Sequence, residues 1–185
     1  CLASPNQKVV EKTIRELNVH SEQFNMLGFE PSNYNKINIH VGGAYGDKKT
    51  TLTRFCKNFE LLRSDTKKRL VIENDDSPNE YSVKDLFDGV YQVIGIPITF
   101  DYFHHKFNTG GLTEEEALKM ASITWPEGVT QCCHYSESRR KEKLDESINT
   151  SVDVKKELAE YKKAETLREV SEDLADTEKE KLGKL

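Results

Sequence analysis

Short apolar runs alternate with amphipathic segments of helix length along the first three quarters of the chain, and this alternation restricts the fold more than any other feature. Residues 6–27 carry a helical stripe through Val9, Val10, Ile14, Leu17 and Phe24, with Ser4-Pro5 as a helix start. "KINIHV" follows, closed by Gly42 and Gly43, and then a helix, "KKTTLTRFCKNFELL", with Leu52, Phe55, Phe59 and Leu62 on one face. The next strand is "KRLVIEND". The helix after it, "SVKDLFDGVYQVIG", opens on Ser82 as N-cap and stops at Gly95. "IPITFDYF" is a third strand, "LTEEEALKMAS" a helix with Thr113 and Glu116 as a capping box, and "VTQCCHYS" a last strand-like run. A β-α-β-α series of this kind builds a parallel sheet, and continuous apolar strands suit a sheet covered on both faces. The spacing of roughly thirty residues per unit fits a (β/α) barrel or a doubly wound sheet. Neither a Rossmann glycine fingerprint nor a P-loop follows any strand.

From Arg139 the character changes. Residues 139–185 are rich in Glu, Asp and Lys with a thin apolar stripe, so the chain divides into a barrel-like part, 1–138, and a charged tail, 139–185, expected to be helical or frayed. No apolar run reaches the roughly 20 residues of a membrane span, so no membrane role is expected. The four cysteines, Cys1, Cys56, Cys132 and Cys133, form no Cys-x-x-Cys pair, so neither a disulfide framework nor a zinc ribbon is indicated. An intracellular setting follows: cytoplasm or nucleoid, or the nucleus of a eukaryote. The start lacks the basic-then-apolar order of a signal peptide and reads as an internal or processed end. The net charge of −5 argues weakly against nucleic acid.

The polar residues gather at the strand ends. The first strand ends in His40, the second in Glu73, the third in Asp101 with His104 and His105 just beyond, and the fourth in His134. In a parallel sheet all these ends lie on one side, where such folds place their sites. A lone strand-end histidine or carboxylate is ordinarily structural; four strands ending this way point to a metal site. Imidazole and carboxylate donors together suit Zn, Mn or Fe, and the set exceeds the needs of one closed zinc. It suffices for two or three ions that clamp the attacking and leaving oxygens of a phosphodiester. Glu73 is placed to bridge two ions, and Asp101 and His104 to share one. His105 is placed in an outer position, and His20 as structural. In "GGAYGDKK", Gly43, Lys48 and Lys49 offer a backbone amide and two cations to a DNA phosphate; as a plain βα loop the same residues merely start a helix.

The strings "SPNQKVVEKTIREL", "INIHVGGAYGDK", "RLVIENDD", "IPITFDYFHHKFN" and "HYSESR" resemble, in this order, the UV damage endonuclease family, over residues 4–140. The resemblance implies an α/β fold, a partial TIM (β/α) barrel with parallel strands, related to endonuclease IV and carrying the charged helical tail. It implies a cluster of divalent ions, commonly Mn, with Zn or Mg as alternatives. It implies incision immediately 5′ of pyrimidine dimers and 6-4 photoproducts in double-stranded DNA, opening excision repair. On the family's pattern His40, Glu73, Asp101, His104 and His134 match metal ligands, with Glu73, His40 and Asp101 at the catalytic centre. Family members carry further strands and a His-Pro-x-Gln motif before the stretch where this chain starts. They often carry a modified lysine at the position of Cys132. Further on they have a His-x-Asp motif, which this chain lacks, and an Asp…Glu-Ala-Lys stretch. "INTSVDVKKELAEYKKAE" echoes the region of that stretch without its glutamate. The chain thus resembles the C-terminal part of a barrel, a monomer once complete. Two alternatives remain: an inactive truncated barrel that binds DNA or protein, and a related two-metal sugar isomerase.

Overall fold

The computed structural model describes residues 1–136; the charged tail expected from residue 139 lies outside the described residues. Four parallel strands pair in sequence order, β1 (Ile37–Ile39), β2 (Leu70–Glu73), β3 (Ile98–Asp101) and β4 (Cys133–His134). This is the sheet of a half-barrel, with the helices between its strands. The register sets Ile37 opposite Leu70, Ile72 opposite Ile98, and Asp101 opposite His134. Because side chains alternate along a strand, Ile37, Ile39, Leu70, Ile72, Ile98 and Phe100 share one face, and Asn38, Glu73, Thr99, Asp101 and His134 share the other. The apolar face joins the core; the other carries the polar groups at its C-terminal rim.

The helices form where the sequence supplies caps. Helix α1 (Gln7–Met26) is capped by Asn6, whose side chain accepts from the Lys8 amide, so it starts just after Ser4-Pro5. Its inward face is Val10, Leu17 and Ser21, while Val9, expected in the stripe, is 38% exposed because it sits 100° round the helix from Val10. Helix α2 (Lys48–Phe59) is capped by Asp47 and buries Leu52, Phe55 and Phe59, with Leu62 just beyond. A short helix, α3 (Ser64–Arg69), runs directly into β2, where the sequence suggested strand from Lys68. The fully buried Arg69 guanidinium fixes that junction. It donates to the carbonyls of Glu30, Phe29 and Asn35 and to Asn25 Oδ1, and it lies over the Phe24 ring.

Helix α4 spans residues 83–94, with a π-turn over Phe87–Tyr91, the expected Ser82 cap closed reciprocally by Asp85, and Gly95 at φ 71° as its stop. Strand β3 ends at Asp101, the strand end expected for it, although the apolar run continues through Phe103; the Asp101 carboxylate accepts from the His104 amide at 2.8 Å and starts helix α5 (Tyr102–Phe107). Helix α6 (Glu114–Ser122) carries the expected Thr113/Glu116 capping box. Phe55, Tyr81, Ile72, Ile98 and Phe100 are fully buried. Each apolar side chain of that size contributes roughly 1.5–3 kcal/mol.

Candidate metal centre

Glu73 sits at the centre of the rim, 4% exposed, on the last residue of β2. From β1, the Asn38 side-chain amide donates to its Oε2. His40, just past β1, brings Nε2 to 3.8 Å from Glu73 Oε1. His104, on α5, lies with Nδ1 3.5 Å from the same oxygen and 3.9 Å from Asp101 Oδ2, and its ring is 5.4 Å from that of His40. From β4, His134 Nδ1 is 3.0 Å from Glu73 Oε2 and 3.9 Å from Asp101 Oδ2. The result is two donor groups, His40–Glu73–His104 and Glu73–Asp101–His134, each with donor atoms within 4.8 Å of one another and both using Glu73. The five candidates separated by as many as 94 positions (134 − 40) therefore converge at one rim.

The surroundings fit a divalent cation. Glu73 and Asp101 are buried carboxylates, and among the described residues their ion-pair partners are imidazoles, with no lysine or arginine. Clustered carboxylates of this burial need a positive charge to be stable. Carboxylate oxygens with imidazole nitrogens are a donor set for Mn or Zn, and as a set of only hard and borderline donors it also admits Mg.

Three residues that the sequence did not single out hold this arrangement. Asp75, buried, accepts from His40 Nδ1 at 2.7 Å, and that hydrogen bond raises the imidazole pKa above its ordinary value against the opposing effect of burial. Asn74 is fully buried; its side chain bonds both the backbone amide and the carbonyl of Asp101, and its own carbonyl lies 2.8 Å from His104 Nδ1. Asn38 fixes Glu73. Alternation gave a signal for Asn38, which shares a sheet face with Glu73, and the run "IENDD" gave one for Asn74 and Asp75.

The remaining candidates lie apart from the two groups. His105 is 3% exposed, packs on Phe100 on the apolar side of the sheet, and has its pKa lowered by burial. Cys132 is half-buried and belongs to neither group. Lys48 pairs with Asp85 at 3.1 Å, while Lys49 is exposed and Gly43 half-buried. Gly43 and Lys48 border a groove of about 520 Å³ between the β1–α2 and β2–α4 loops, with Tyr45, Asn79 and Glu80 also on its walls. Tyr45, at φ 48°, is held in the left-handed region that only glycine visits freely.

The family model of UV-endonuclease UvdE matches residues 1–179. A UV-damage endonuclease of Schizosaccharomyces pombe is 40% identical over 146 residues, covering 74% of this chain and 24% of that protein. A UV DNA damage endonuclease of Bacillus pumilus is 35% identical over 153 residues, covering 82% of this chain and 46% of that protein. The crystal structure of SacUVDE superposes with a TM-score of 0.68 at 38% identity, over 76% of this chain and 46% of that one. The chain thus spans less than half the length of each of these relatives.

Proposed function

The chain belongs to the UV-endonuclease UvdE family, and from this premise we propose that it carries part of the rim of a metal-dependent endonuclease that nicks double-stranded DNA 5′ of pyrimidine dimers and 6-4 photoproducts. The observation that supports this most is the sharing of Glu73 by two three-residue donor groups. Divalent ions bound there, Mn before Zn or Mg, supply Lewis acidity to a phosphodiester and lower the pKa of water. In this reading His40, Glu73, Asp101, His104 and His134 are the ligands, and Glu73, His40 and Asp101 form the catalytic centre. Glu73 turns Oε1 toward His40 and His104 and Oε2 toward His134, so its carboxylate can serve both groups at once. Asn38 holds Oε2, and burial keeps bulk water from competing for the carboxylate. The histidines must be neutral to bind a cation, so acid weakens the site. Gly43, Lys48 and Lys49 at the loop above β1 would hold the DNA backbone, which is the common use of amides and lysines in such interfaces.

The test is nicking of supercoiled plasmid, irradiated and unirradiated, by the purified chain with Mn²⁺. Nicking confined to irradiated plasmid is expected. Glu73→Gln should remove it, with a loss larger than the ~10–100-fold typical of an outer partner. Unchanged nicking in that variant would sink the role assigned to Glu73. A second reading is binding of damaged DNA without incision, at the groove that Gly43 and Lys48 border. Salt-sensitive binding to irradiated duplex with no nicking would favour it.

A further inference from the structure

We infer that Asp75 is a positioning residue: its carboxylate fixes His40 as the Nδ1–H tautomer and turns Nε2 toward Glu73, while the backbone carbonyl of Asn74 fixes the same tautomer of His104. The inference rests on the metal-centre reading above and deepens it, since it assigns how the imidazoles are presented rather than which residues bind.

His40 Nδ1 is 2.7 Å from Asp75 Oδ1, whereas its Nε2 is the atom that faces Glu73, at 3.8 Å. A neutral imidazole has one N–H and one lone pair. A carboxylate accepts only, so Nδ1 must carry the proton and Nε2 keeps its lone pair toward the donor group. Asp75 is itself held in place. Its backbone amide donates to the Tyr81 carbonyl at 2.8 Å, and the Tyr81 amide lies 3.3 Å from its Oδ2. The His104 ring meets the Asn74 carbonyl at 2.8 Å, which again demands N–H at Nδ1. Glu73, Asn74 and Asp75 are consecutive, so one strand end supplies a shared carboxylate and the orienting groups for two histidines from other segments. Tautomer fixation by an outer carboxylate or carbonyl raises ligand basicity and pre-orders the ring.

The experiment has two readouts on the full chain. The first is the ring tautomer of His40 in metal-free protein, from long-range ¹⁵N–¹H NMR at a pH well above the imidazole range. The second is Mn²⁺ affinity by calorimetry. The parent is expected to show His40 as Nδ1–H. Asp75→Asn, whose Oδ1 can still accept, should keep that tautomer. Asp75→Ala should lose it and weaken one Mn²⁺ site by ~10–100-fold while sparing the other. A parent His40 protonated at Nε2 would overturn the inference, as would an Asp75→Ala variant with unchanged tautomer and unchanged Mn²⁺ binding. If Asp75→Ala does not fold, the parent and Asp75→Asn tautomers decide. A parent that takes up no Mn²⁺ sinks the metal reading alone, because the tautomer is measured without metal and still tests Asp75.

Discussion

At the scale of single residues, the rim separates histidines by what surrounds them. His40 gains a carboxylate and has its pKa raised, whereas His105 is packed against Phe100 and has its pKa lowered by burial. The two act oppositely on stability. A raised folded-state pKa gives His40 a contribution that is complete below the ordinary value of about 6.5 and is lost as pH rises through the raised value. With a lowered folded-state pKa, His105 costs stability as pH falls below about 6.5, and that cost levels off below its folded value. The His40 side chain is 42% exposed, so its share is screened by solvent, and the buried His105 should govern the acid side. We therefore expect the urea midpoint of metal-free protein to fall from neutral pH toward ~pH 5, and His105→Gln to flatten that fall. Equal slopes in parent and variant would rule His105 out. The sequence exposed His40, Glu73, Asp101, His104 and His134 because each sits at or just past a strand end. For Asp75 and Asn38 a position was legible in the sequence but no partner, since the partners lie 35 positions away across the β1–β2 pairing, and only the register brings them within reach.

At the scale of elements, caps were legible and interruptions were not. Ser82 with Asp85 and Thr113 with Glu116 close their helix starts because hydroxyl and carboxylate three residues apart reach each other's backbone amides whatever the tertiary context. Helix α3, the early start of α5 and the π-turn in α4 depend instead on contacts. Arg69 anchors the first and the Asp101 side chain initiates the second. The π-turn carries Gly89, where a Cβ would overlap Leu52 Cδ1 of α2, and the Cys56 thiol lies 3.4 Å from the Gly89 carbonyl. Close helix approach is thus the reason for glycine here. Gly89→Ala should destabilise the chain by ~1–3 kcal/mol through overpacking, and Leu52→Ala in the same chain should recover part of that loss. Strictly additive losses in the double variant, measured by chemical denaturation, would refute the contact.

At the scale of the whole molecule, the sheet gathers Glu73, Asp75 and Asp101 at one rim of a chain whose net charge is already −5. Such a rim repels a phosphate backbone until cations offset the carboxylates. Removing divalent ions with a chelator should therefore weaken binding to irradiated duplex as well as stop nicking, and restored Mn²⁺ should reverse both. Binding that is indifferent to the chelator would place the DNA contact away from the rim. The parallel sense of the strands and the side on which the polar residues collect were legible in the sequence alone, whereas the sequential strand order is seen only in the folded sheet. Short continuous apolar runs separated by capped helices leave few other ways to bury both faces of a sheet. The tertiary structure decided how those residues meet: that Glu73 is shared by two groups, that Asp75 and Asn74 orient two imidazoles, and that His105 turns to the apolar side. These depend on register, on which helix starts where, and on distances of a few ångströms between segments far apart in the chain, and local sequence pattern carries no record of them.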